Sequence, residues 1–154
     1  MKSGTDLPVI GIAGWKNSGK TTLAVRLIDE FTRRGLRVAS VKHSHHDVNV
    51  DGEETDSARH RRAGARDVVL VGPNRWALIH DMGEQEAAPS LENILTLLSA
   101  ADLVIVEGFK TAPIPKIETR RSDQDDKRHL APGDPLIVAI ASDHATGHGP
   151  LPLF

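Results

Sequence analysis

Val9-Ile10-Gly11-Ile12-Ala13-Gly14-Trp15-Lys16-Asn17-Ser18-Gly19-Lys20-Thr21 is a short apolar run that breaks into a segment rich in glycine and lysine. Val9 to Ala13 reads as a buried strand. The eight residues from Gly14 to Thr21 match G-x-x-x-x-G-K-[ST], the phosphate-binding loop. Behind them Ala24, Leu27, Ile28 and Phe31 recur at helical spacing, which predicts a helix starting near Lys20. Arg33 and Arg34 followed by Gly35 form its stop signal. A glycine loop between a strand and a helix is the setting the motif requires. There backbone N–H groups and the helix N-terminus both face an anion. Gly19 removes a side chain from that approach, and Lys20 brings a mobile charge to the β and γ phosphates. The Thr21 hydroxyl is an oxygen donor suited to Mg²⁺. Gly14, Trp15, Lys16, Asn17, Ser18, Gly19, Lys20, Thr21 and Thr22 are the expected nucleotide-binding set, with Lys20 also catalytic.

Working outward, Arg37 to Val41 reads as a second strand, parallel to the first. The polar stretch His43 to Glu54 is too long for an idle turn. A short helix is expected from Thr55 or Asp56 to Ala63. Val68 to Val71 and Arg75 to His80 read as a hairpin around Gly72-Pro73-Asn74, with Trp76 in the core. Ser90 precedes a helix with Leu91, Ile94, Leu95 and Leu98 on its apolar face. Lys116 to Thr119 is expected as an edge strand, Ser122 to Arg128 as loop and Leu136 to Ala141 as the last strand. The tail from Thr146 to Phe154 is expected to be loosely ordered. Strands alternating with helices predict a three-layer α/β P-loop NTPase fold with a mostly parallel sheet, in one domain over 1–154.

Leu103-Val104-Ile105-Val106-Glu107 is the second chemical signal. Four apolar residues deliver an acid to a strand end, where P-loop proteins hold the metal. Glu107 is therefore a candidate for metal binding and catalysis, alongside Thr21 on the metal. Asp102, before the strand, reads as a solvated turn residue. A third signal is Lys42-His43-Ser44-His45-His46-Asp47. Alternate strand residues face opposite ways, so the favoured reading is a polar loop over the nucleotide, with His43 contacting it, rather than a transition-metal site. Arg59, Arg61, Arg62 and Arg66 read as a solvated helix face or as a site for an anionic substrate. Trp15 is exposed by position and available for stacking. Lys116 and Glu118 share a strand face as a surface or site pair.

The 154 residues carry a net charge of −2, 26% charged and 39% hydrophobic residues and no cysteine. That balance is a globular one. It offers no basic field toward nucleic acid or an anionic membrane. The lack of cysteine rules out disulfides and suits a reducing cytosol, so a cytoplasmic location is expected. The N-terminus lacks the apolar stretch of a signal peptide, and no segment reaches the length of a membrane span.

These motifs together resemble the molybdopterin-guanine dinucleotide biosynthesis B protein family. The resemblance rests on Val41-Lys42-His43-Ser44-His45-His46, then Asp51, Thr55-Asp56-Ser57 and Ala63-Gly64-Ala65. It continues in Val106-Glu107-Gly108-Phe109-Lys110, Pro115-Lys116-Ile117-Glu118 and Ala139-Ile140-Ala141-Ser142-Asp143, all in the family's order. It implies a GTP-binding accessory protein of molybdenum cofactor maturation, with Mg²⁺ and weak GTPase activity. It also implies a homodimer that works with the guanylyltransferase attaching GMP to the molybdopterin cofactor. By position it puts Gly19, Lys20 and Thr21 on the phosphates and Glu107 near the metal. The chain departs from the family's common Gly-Lys-Asp at Glu54-Thr55-Asp56, where a lysine is lacking. Neither a water-positioning glutamine nor an arginine finger is evident, which predicts slow turnover. The apolar region Phe109 to Ile117 is a weak candidate for the dimer contact. Asp143, delivered to the carboxyl edge of the sheet, is expected to read guanine. A carboxylate only accepts, and guanine presents adjacent N1–H and N2–H₂ donors. The plain alternative is a turn aspartate. Rival functions are a small-molecule kinase using the arginine cluster and a nucleotide-controlled metallochaperone using the histidine loop.

Overall fold

The computed structural model describes residues 7–44, 47–124, 128–146 and 149–154. The chain, read from its sequence as one domain, divides into two compact units: Met1–Ser44 with Leu91–Phe154, and His45–Ser90.

The first unit is an α/β sandwich. Its sheet has strands β1 (Val9–Ala13), β2 (Val38–Lys42), β5 (Leu103–Glu107), β6 (Lys116–Arg120) and β7 (Ile137–Ser142). Their order is β2-β5-β1-β6-β7, and every pairing is parallel. Side chains alternate across each strand, so the β5 run feeds two cores. Ile105, with Ile12 of β1, packs under Ala24, Leu27, Ile28 and Phe31 of α1 (Lys20–Arg33). Val104 and Val106, with Val41 of β2, pack on the other face under Leu91, Ile94 and Leu95 of α3 (Leu91–Leu97) and under Leu98. Each fully buried branched side chain contributes about 1.5 to 3 kcal/mol. A strand buried on both faces therefore reads as a continuous apolar run.

β6 is not the edge strand its composition predicted. It lies between β1 and β7. Its charged residues Lys116, Glu118 and Arg120 share one face and are all buried. They tolerate burial because each is paired. Lys116 Nζ donates to the Ala112 carbonyl at 2.8 Å and lies 3.1 Å from Asp134. Glu118 accepts from Arg120 at 2.8 Å and from the N–H groups of Leu130 and Ala131 at 2.7 and 3.0 Å. Lys116 and Glu118 are thus neither a surface pair nor each other's partners. The tail also differs from expectation in its described part. Pro152 to Phe154 is hydrogen-bonded along β7, with Leu153 paired in parallel to Ile140. The Phe109 to Ile117 region is partly buried, with Thr111, Pro113 and Pro115 exposed. Ala112 is buried there, and Phe109 and Ile114 pack against the same cluster as α3. Asp102 holds the Arg37 guanidinium and backbone N–H, closing the turn into β5.

The second unit is a helix, α2 (Asp56–Arg62), and an antiparallel hairpin of β3 (Asp67–Val71) and β4 (Trp76–His80). Thr55 caps α2, accepting from Ala58 N. Val68 is buried on the hairpin face that meets α2. Val69 lies opposite Leu78, and Val71 opposite Trp76. All four therefore share the other face, and all are exposed, Trp76 at 67%. The core position expected for Trp76 is not what this hairpin provides, because β3 and β4 form a sheet of their own with one face uncovered. No described helix is long and apolar enough to cross a membrane.

Burial works to raise the pKa of Glu118, but the Arg120 guanidinium and the Leu130 and Ala131 amides hold it below the ordinary value. Stability from this contact is present above the unfolded pKa of about 4.3. It is lost as pH falls through the lower folded value. At neutral pH, Glu118→Ala is expected to cost about 3 to 5 kcal/mol, because Arg120 is left buried without its carboxylate. A urea midpoint equal to wild type would contradict the pairing.

Candidate nucleotide site

Parallel strands bring all their carboxyl ends to one edge. The residues that follow Ala13, Lys42, Glu107, Arg120 and Ser142 therefore meet there. The first of these segments is the loop from Gly14 to Gly19. Gly14 must lack a side chain: a Cβ there would sit 2.3 Å from Ser18 Oγ and 2.4 Å from Thr119 Oγ1. These two buried hydroxyls are themselves bonded at 2.7 Å, and Thr119 donates to the Ala13 carbonyl at 3.2 Å. They tie the loop to β6. Gly19 caps α1 with φ +88°, a left-handed conformation open to glycine.

Lys20 lies across the loop, and its Nζ donates to the Trp15 carbonyl at 2.6 Å. Burial, and then the nearby charge of Lys110, lower its pKa, with Lys42 adding to the effect and Glu107 opposing it. Glu107 is mostly buried at the end of β5 and accepts from Thr21 Oγ1 at 2.7 Å. A serine- or threonine-type hydroxyl beside a carboxylate is a set of hard oxygen donors, which matches what Mg²⁺ prefers. Lys42 Nζ stands 3.4 Å from the same hydroxyl and 3.7 Å from Glu107 Oε1. Asn17, Ser18, Gly19, Lys20, Thr21 and Thr22 line a cavity of about 430 Å³ with Glu107, Arg121 and Asp123. Lys16 is exposed on the loop.

Trp15 is only half-exposed and already has partners. Lys110 Nζ sits 4.1 Å and the Arg128 guanidinium 4.2 Å from its ring centroid, and its indole N–H donates to the Arg128 carbonyl at 2.7 Å. His43 donates its backbone N–H to the Glu107 carbonyl at 2.8 Å, and its ring tilts against Phe109 at 4.9 Å. His45 and His46 lie outside the described residues. Among the described residues no three potential metal ligands gather. Asp143 accepts from the Ser122 N–H and from His144 Nδ1, each at 2.8 Å. Those contacts, His144 first, hold its pKa below the usual carboxylate range.

The arginine cluster is engaged within its own unit. Arg59 pairs with Asp56, Arg61 with Asp51 and Asp81, and Arg66 with Glu86, while Arg62 donates to the Glu53 carbonyl. The sequence reading did not single out Lys42, Lys110, Arg121 or Arg128 as site residues. Lys42 precedes His43 at a strand end, as Glu107 ends β5. The other three sit in loops where no spacing rule points at the phosphate loop.

The family model described as Molybdopterin guanine dinucleotide synthesis protein B matches residues 9–143. A molybdopterin-guanine dinucleotide biosynthesis adapter protein of Haemophilus influenzae is 41% identical over 140 residues, covering 90% of this chain and 76% of that protein. The protein of the same description from Escherichia coli K12 is 35% identical over 145 residues, covering 93% and 82%. The crystal structure of Bacillus subtilis MobB superposes with a TM-score of 0.71 at 26% identity, covering 96% of this chain and 89% of that one.

Proposed function

The chain belongs to the molybdopterin guanine dinucleotide synthesis protein B family, and from that premise we propose that it is a GTP-binding adapter with slow, Mg²⁺-dependent GTPase activity. Its role is in molybdopterin-guanine dinucleotide biosynthesis, as an adapter protein. The observation that carries the nucleotide reading is the contact between Thr21 and Glu107 at the mouth of the Gly14–Gly19 loop. The loop amides and Lys20 bind and orient the triphosphate, while Thr21 and Glu107 hold the metal. Mg²⁺, when bound, neutralises charge developing on the transferred phosphoryl group. Lys20 then exchanges the Trp15 carbonyl for phosphate oxygens, and a neighbouring anion reverses the downward shift of its pKa. His43 lies beside Glu107 as a candidate contact to the nucleotide. Positioning and charge neutralisation are the available sources of rate. The guanylyltransferase that attaches GMP to molybdopterin is the proposed partner, with the molybdopterin cofactor as the shared cargo.

The arginine cluster gives no support to a kinase reading, since its members are paired with acids or a carbonyl. The expected dimer finds a further support in the exposed face of the β3–β4 hairpin. A two-stranded sheet with Val69, Val71, Trp76 and Leu78 bare on one face is marginal alone. A second copy of the hairpin supplies the missing cover.

Lys20→Ala is expected to remove most GTP affinity with the fold intact. Glu107→Gln is expected to abolish turnover with a smaller loss of binding. Calorimetric titration and phosphate release check both, and wild-type binding by Lys20→Ala would sink the nucleotide reading. Light scattering at micromolar concentration is expected to give a dimer that Val71→Asp converts to a monomer. A monomeric wild type would contradict the hairpin contact. Asp143→Asn is expected to weaken GTP by about ten- to hundred-fold, the range of a charge-assisted hydrogen bond, and to gain affinity for xanthosine triphosphate. Unaltered preference for GTP would assign Asp143 to the turn alone.

A further inference from the structure

We infer that Phe154 forms the stacking wall of a nucleobase subsite, which rests on the nucleotide-binding reading above and extends it to the far end of the ligand. A second cavity, of about 490 Å³, adjoins the phosphate loop and is lined by Thr22, Arg26, Arg121, Ala141, Asp143 and Phe154, among others. It shares Ser18, Gly19, Thr22 and Arg121 with the cavity that holds Lys20 and Glu107. One ligand with phosphates in the first cavity therefore has a continuous path into the second. The chemistry changes along that path. The first cavity is walled by hydroxyls, charged groups and backbone, whereas the second sets Leu23, Ala141 and Phe154 among hydroxyls, arginines and Asp143. A flat heteroaromatic ring needs that mixture: apolar surface for its faces and hydrogen-bonding groups for its edge.

Phe154 is the unusual member. The residue is 79% exposed, although its backbone is fixed at both ends. Its N–H donates to the Ile140 carbonyl at 3.0 Å, and its own carbonyl accepts from Ser142 N at 2.9 Å. The second bond places Phe154 beside the residue that precedes Asp143. An aromatic ring held bare on a hydrogen-bonded segment does no packing that accounts for it. Beside a carboxylate that accepts hydrogen bonds, it is placed to stack on a base whose edge that carboxylate meets. Stacking tolerates any base, because every base has a π face. The division of labour is that Phe154 supplies affinity for a nucleobase and Asp143 the choice among bases. Arg121 lies where the two cavities join, next to Gly19.

The experiment compares GTP with inorganic tripolyphosphate, which has the phosphates and no base, by calorimetric titration in the presence of Mg²⁺. The proteins are wild type, Phe154→Ala and Phe154→Trp. Phe154→Ala is expected to lose about ten- to hundred-fold in GTP affinity while binding tripolyphosphate as wild type does. Phe154→Trp is expected to recover GTP binding. Equal losses on both ligands, or no loss on GTP, would overturn the subsite. Failure of wild type to bind either ligand would overturn the phosphate-loop reading with it. Wild-type binding of tripolyphosphate with no gain from the base would overturn the subsite alone.

Discussion

The parallel register between β1 and β5 is the constraint on which the rest of this molecule depends. It sets Ile12 opposite Glu107, so the carboxylate and the loop that starts at Gly14 leave the sheet at the same edge. α1 then has to begin at that edge, because Gly19 turns the chain directly into it. Its second residue, Thr21, reaches Glu107 as a result. The contact is held in place by burial on both faces of β5. Val104 and Val106 are fixed against the α3 side, and Ile105 against the α1 side. A shift of one residue in β5 would exchange those faces and turn Glu107 away from Thr21.

Much of this was legible in the sequence because local and long-range signals agreed. The apolar runs Val9–Ala13 and Leu103–Val106 needed no knowledge of their neighbours to be recognised as strands. The faces of α1 and α3 followed from helical spacing, and the phosphate loop from its glycines and lysine. β6 was harder. Lys116, Glu118 and Arg120 resemble a solvated edge until their partners are known. Those partners are Asp134, the Ala112 carbonyl and the amides of Leu130 and Ala131, all distant from a pattern-based reading. Trp76 failed for the opposite reason. An aromatic residue in an alternating strand ordinarily faces a core, but this hairpin has only one covered face. The tail was misread because its pairing with β7 is a backbone matter that glycine and proline content conceals.

The site was legible in its anchors and less so in its surroundings. Asn17 to Thr22 and Glu107, from two separate motifs, line one cavity. The basic groups around them come from separate loops: Lys42 from the end of β2, Lys110 after β5, Arg121 and Arg128 after β6. Their convergence is a product of strand order, which sets β2 and β5 on one side of β1 and β6 on the other. Trp15 joins this set as a platform for two cations. That explains how a large aromatic side chain is accommodated inside the Gly14–Gly19 loop without entering the core.

The central claim is that this edge binds a guanine nucleotide. The most direct measurement is a side-by-side titration of the wild-type protein with GTP, ATP, CTP and UTP in the presence of Mg²⁺. The account predicts that GTP binds at least about ten-fold more tightly than the other three, the discrimination expected from one charge-assisted hydrogen bond to the base. Equal affinity for all four, tighter binding of ATP, or no binding of any would contradict it.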